Sequence, residues 1–141
     1  MEVISALLVD EIKKHPDGRV DLLGLFEDIY VESVPFILDN LSLFVDLEIG
    51  PEDRGRRHAM EVHLLDEDGA PVQPARVIKF DMPGADDYPR STAQLDLIFP
   101  NVTFRRFGVH HLDIVFDGRR ARRVYLSVQR ANTEANHDAH H

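Results

Sequence analysis

The sequence predicts an all-β protein, a two-sheet antiparallel β-sandwich, and three observations carry that expectation. Apolar and polar residues alternate over several short runs, which is the period of a strand with one buried face. Clusters of Gly, Pro and Asp recur at intervals of roughly ten residues, the spacing of turns in a sandwich or barrel. The 141 residues, 43% apolar and 29% charged, suffice for one core without disulfides or a structural metal.

The opening segment admits two readings. Ile4, Leu7, Leu8 and Ile12 fit one face of a helix that ends at Lys13 and Lys14. Val3, Ile4, Leu7, Leu8 and Val9 are also apolar on nearly both sides of a strand, as a central strand requires. His15-Pro16-Asp17-Gly18 then suits a tight turn before the strand-like stretch from Val20 to Phe26, so a hairpin is the favoured expectation. Further on, Leu41, Leu43, Val45, Leu47 and Ile49 alternate with Ser42, Asp46 and Glu48 ahead of Gly50-Pro51, with Phe44 on the outward phase. Met60, Val62 and Leu64 lead to the acidic turn Asp66-Glu67-Asp68-Gly69 and a return through Val72 to about Phe80. Leu95, Leu97 and Phe99 alternate with Gln94 and Asp96 up to Pro100. Leu112, Ile114 and Phe116 share a face, Asp117-Gly118 supplies a tight turn, and Val124, Leu126 and Val128 repeat the pattern on the way back. Segments 50–58, which hold His58, and 82–91 read as surface loops. Residues 1–130 are therefore expected to form one domain, followed by a flexible polar tail over 131–141 that carries His137, His140 and His141.

Composition closes several routes to function. The chain has no cysteine, which removes disulfide scaffolds, thiolate nucleophiles and thiolate metal sites. Its apolar runs are short and broken by acidic residues, so no membrane span is expected, and the acidic second residue is unlike a secretory signal. A cytoplasmic protein is the expectation. Net charge is −9, but residues 101–141 carry seven basic and four acidic side chains against nine and 21 in the first hundred. An acidic whole opposes general attraction to nucleic acid, and no nucleic-acid partner is expected. Neither a glycine-rich phosphate loop nor a nucleophile elbow is present, and Ser5, Ser42 and Ser127 fall in ordinary strand positions. No cofactor is called for.

The stretch Val3-Ile4-Ser5-Ala6-Leu7-Leu8-Val9-Asp10, followed by a short hairpin and Val20-Asp21-Leu22-Leu23-Gly24-Leu25-Phe26, resembles a family of small uncharacterised bacterial proteins, a domain of unknown function with an Ala-Leu-Leu-x-Asp opening strand. Pro35, Pro100, Gly108, Asp117-Gly118 and the strand from Val124 to Val128 continue the resemblance. It implies an immunoglobulin-like sandwich and no assigned activity. The family often has cysteine where this chain has Val9, so a thiol-dependent role does not transfer. The matching positions are core and turn residues, which report fold rather than function.

Two groups of side chains stand out as sites. Arg105 and Arg106, with Arg119, Arg120, Arg122 and Arg123 after the Asp-Gly turn, place six arginines within 19 residues. Guanidinium groups at a hairpin end can hold a carboxylate or phosphate bidentately, so the patch could meet an acidic protein partner or another copy, giving a homodimer. A solvated tip that discourages edge pairing explains the same residues structurally. Phe44, Leu65 and Ile98 add outward apolar surface. The alternative reading is a metal-binding protein or metal-dependent enzyme: His63 and Glu61 lie outward on one strand, His111 and Asp113 outward on another. If those strands are neighbours, His63, His111 and Asp113 meet on one face. Calcium at Asp66-Glu67-Asp68 or Asp86-Asp87 is a weaker expectation, because the first cluster is explained by its turn. A non-enzymatic interaction or structural module is the leading expectation.

Overall fold

A computed structural model describes residues 1–131, so the expected tail, Ala131 excepted, lies outside the described residues. The described chain is nine strands: β1 (Glu2–Lys14), β2 (Val20–Leu25), β3 (Asp28–Val31), β4 (Phe36–Glu48), β5 (Arg56–Leu65), β6 (Arg76–Met82), β7 (Thr92–Phe104), β8 (Gly108–Phe116) and β9 (Arg119–Arg130). A single 3-10 turn, Pro51–Asp53, precedes β5. No helix among the described residues is long and apolar enough to cross a membrane. The strands form two sheets, ordered β2-β1-β4-β7 and β3-β9-β8-β5-β6. Every pair is antiparallel except β3 with β9, which run parallel from Asp28 opposite Ser127 to Val31 opposite Arg130.

Alternation positions the core between the sheets. Leu41, Leu43, Val45 and Leu47 of β4 and Leu97 and Phe99 of β7 face Met60, Val62 and Leu64 of β5, Leu112 and Ile114 of β8, and Leu126 and Val128 of β9. Each fully buried aliphatic or aromatic side chain of this kind contributes about 1.5–3 kcal/mol relative to exposure. Two departures from the sequence expectation have local causes. β7 runs through Pro100 because it is an edge strand, where a missing N–H is tolerated, and Asn101 at φ 51° absorbs the irregularity. Strand β5 begins at Arg56, inside the expected loop, so His58 is an inward strand residue and is buried.

The opening segment is the expected hairpin, with a bend. Residues 2–9 of β1 pair with β4, while Val9 to Lys14 pair with β2. Lys14 Nζ nevertheless lies 2.6 Å from Asp96 of β7, whose neighbour on β4 is Phe44, itself opposite Leu7. A straight β1 would carry Lys14 about 23 Å past Leu7 at about 3.3 Å per residue. The second half of β1 therefore folds back with β2 over the outer surface of its own sheet. This accounts for the burial of Val9, Ser42 and Phe44, which alternation alone assigns to the outside. The bend falls at Asp10. Opposite it Gly24 has φ +70°, and a Cβ there would collide with the Asp10 carboxylate.

Candidate functional site

Two strand halves on the same side of the sandwich have no hydrogen-bonded strand partner among the described residues, although β1 and β9 approach each other there and Arg122 bridges them. In the first sheet β2 joins β1 only from Val9 onward and Phe26 reaches the Leu8 carbonyl, leaving residues 2–7 without a strand partner on the side away from β4. In the second sheet β3 is only four residues long and meets β9 only from Ser127 onward, leaving Arg119 to Leu126 open on the side away from β8. The direction of the open groups follows from their neighbours. The N–H of Ser127 donates to Glu27 O (2.9 Å) and that of Ala131 to Val31 O (2.7 Å), so both point towards β3. By the two-residue period of a strand, Arg123 and Tyr125 point their N–H and C=O the same way, onto the open edge. On β1 the Leu8 carbonyl accepts from Phe26 N–H at 3.1 Å, which sets Ala6 outward by the same rule.

Between these edges runs an open groove of about 830 Å³. The β2–β3 connection closes one end with Leu25, Phe26, Glu27 and Asp28 as it crosses from one sheet to the other. Arg122 spans the other end, its Nη2 donating to Val3 O at 2.8 Å. The walls are largely apolar: Leu7, Val124, Tyr125, Tyr30 and Val109, with Tyr125 59% and Tyr30 54% exposed. Charge is divided along its length, cationic at the arginine end and acidic at Glu27 and Asp28.

The six arginines predicted as one patch are two groups. Arg105 and Arg106 lie in the β7–β8 turn, at the opposite end of the nine-residue β8 from the Asp117-Gly118 turn that precedes Arg119. Arg106 faces the acidic turn, pairing with Asp68 and approaching Asp66 at 3.6 Å. The hydrogen bond that Arg106 donates to the Asp68 carboxylate raises its pKa, and hydrogen bonds from the Ala70 and Asp68 N–H groups lower that of Asp66. That arrangement braces a turn. In the second group a bulge at Ala121 breaks the alternation: Arg120 pairs with Val115 and Arg122 with Ile114. Arg123 holds Asp113 with two bonds, Nε to Oδ1 at 2.8 Å and Nη2 to Oδ2 at 3.1 Å. Arg119 and Arg120 make no ion pair among the described residues.

His63, His111 and Asp113 share the outer face of β5 and β8, as neighbouring strands require, with His63 directly opposite Asp113. They share a face and not a site. Arg123 occupies both oxygens of Asp113, and its hydrogen bond holds that carboxyl below the usual range. Burial, then the Arg123 charge, lowers the pKa of His111, which stands 3.8 Å from Asp113. His63 turns to Glu61 at 3.7 Å. Among the described residues no three His, Asp or Glu side chains are placed to hold a metal ion. The apolar surface is also revised: Ile98 is exposed, but Leu65 is half-buried and Phe44 buried.

The buried polar cluster centres on His58. Its Nδ1 donates to Asp117 Oδ2 and its Nε2 to the Asp53 carbonyl, both at 2.7 Å. Both partners are acceptors, so both ring nitrogens carry protons and the ring is an imidazolium. Burial by itself pulls its pKa down; the hydrogen bond to Asp117, that to Asp53 and the charges of both aspartates outweigh burial, and the net direction is up. Asp53 also takes the Met1 ammonium at 2.9 Å. Every buried side-chain N or O among the described residues is bonded, and the cluster pins the β8–β9 turn to β5.

The fold and the groove define a β-sandwich with two partly open strand edges. The chain belongs to a family of unknown function, DUF6941, whose model matches residues 4–129. No curated protein matches. Among solved structures the chain is similar, at 9% identity and a TM-score of 0.42, to the Pseudomonas fluorescens alkylpurine DNA glycosylase AlkC bound to DNA containing an abasic site analog. The match covers 88% of this chain and 30% of that one, and a likeness so distant carries no argument about function.

Proposed function

We propose that this protein is a non-enzymatic interaction module that receives a protein partner in the groove between the open edges of β1 and β9. The supporting observation is the coincidence of outward backbone groups at Arg123, Tyr125 and Ala6 with exposed apolar side chains at Leu7, Leu25, Tyr30 and Tyr125. Aromatic side chains that are mostly exposed beside an apolar groove are the residue types that anchor interfaces. Self-association is the weaker arrangement. Two β9 edges paired antiparallel would lay their arginine runs side by side, and like charges across a strand pair are destabilising. A photoreactive side chain installed at Tyr125 and, separately, at Val77 of β6 tests the placement in living cells. Covalent adducts specific to position 125 are expected; adducts from both positions alike, or from neither, contradict it.

A further inference from the structure

We infer that the groove's occupant is an extended peptide segment that pairs as an added strand with the open edge of β9 and presents carboxylates to its arginine end. This rests on the interaction-module reading and goes further by naming the partner's chemistry.

The open edge covers Arg119 to Leu126, eight residues, and lies in line with β3, which already pairs with the same side of β9 from Ser127 onward. An added strand would thus extend an existing row. It would meet the outward N–H and C=O of Arg123 and Tyr125, and its alternate side chains would lie against Tyr125, Tyr30 and Leu7 on the groove walls. Backbone pairing of this kind supplies affinity without regard to sequence, while the charges supply choice. Arg119 and Arg120, on the edge beyond the groove's lining, make no ion pair among the described residues, and Arg122, which lines it, donates to the Val3 main-chain carbonyl. At the other end Glu27 and Asp28 face the groove. In a chain of net charge −9, this local cationic end selects an acidic stretch and orients it. The bulge at Ala121 and the arginines also keep the free protein from indiscriminate edge pairing, so the same residues protect the edge and select its partner.

The probes are capped eight-residue synthetic peptides of alternating Val and Thr, with two glutamates at one end and a lysine at the other, titrated into the full chain and read by fluorescence anisotropy. Both charge orders are used, since a parallel and an antiparallel strand place the glutamates at opposite ends. One order is expected to bind. Moving the glutamates to the lysine end of that order, or replacing Arg119 and Arg120 by Glu, is expected to weaken it about tenfold. Tyr125→Pro removes an outward N–H that no other strand uses and is expected to weaken binding about tenfold beyond Tyr125→Ala, which keeps that N–H. Melting curves confirm that each variant folds. No binding of either peptide, equal binding of the two charge orders, or equal effects of Pro and Ala would overturn the inference. So would a dimer of the free protein that Tyr125→Pro dissolves, because the edge would then belong to a second copy. If position 125 crosslinks a partner in cells while no acidic peptide binds, the module stands and the peptide chemistry falls; if neither occurs, both fall.

Discussion

His58 shows how one side chain can be half legible. The phase set by Met60, Val62 and Leu64 extends back to position 58 and marks it as inward. Nothing in the sequence says that Asp117, 59 residues on, will meet it, because that contact depends on β5 and β8 being neighbours. The consequence is measurable. With a folded-state pKa above the unfolded value of about 6.5, the imidazolium's contribution is complete below about pH 6.5 and is lost as pH rises through the folded value. Asp53 and Asp117, both with lowered pKa, act in the opposite window, contributing above about pH 4 and losing that contribution on acidification. Chemical denaturation of the wild type between pH 6.5 and 9 should therefore show stability falling with pH, and His58→Gln should flatten that slope. Equal slopes would refute the assignment. Asp117→Asn tolerates the left-handed turn position but leaves His58 without its carboxylate, so a loss of about 1–3 kcal/mol is expected at pH 6.

At the scale of elements, alternation was a sound guide wherever one face meets the core and the other meets water. It marked β4, β5, β7, β8 and β9 and the Asp117-Gly118 hairpin. It misplaced Phe44, because a second layer, the folded-back β1–β2 hairpin, covers an outer face and no periodicity within β4 records that. The bend itself has a local signature in Gly24, whose left-handed φ and closeness to Asp10 leave no room for a side chain. Gly24→Val should lower the unfolding free energy by about 1–3 kcal/mol, against a change within about 0.5 kcal/mol for the solvent-facing Lys13→Gln. A Gly24→Val protein as stable as the wild type would show that β1 does not bend there. In the core, Phe99 is fully buried between the sheets, and Phe99→Ala is expected to cost about 3–5 kcal/mol in the same assay.

For the whole molecule, the all-β sandwich was legible and the site was not. Strand order decides which edges stay open, and pairing is a property of the assembled sheets. A parallel β3 that meets β9 over only four residues could not be read from the run Asp28-Ile29-Tyr30-Val31. The same strand order separated Arg105 and Arg106 from Arg119 to Arg123, and it brought His63, His111 and Asp113 to one face while giving Asp113 to Arg123. The charge asymmetry noted in the sequence survives as the cationic end of the groove. The account depends on that edge being open in the free protein, and amide hydrogen exchange observed by NMR reads it one residue at a time. Leu126 and Val124, paired to β8, and Ser127, bonded to Glu27, should exchange slowly, while Arg123 and Tyr125, which alternate with them and face the open edge, should exchange quickly. Protection at Arg123 and Tyr125 equal to that of their neighbours would mean that the edge is already paired, and would contradict the groove as a docking site.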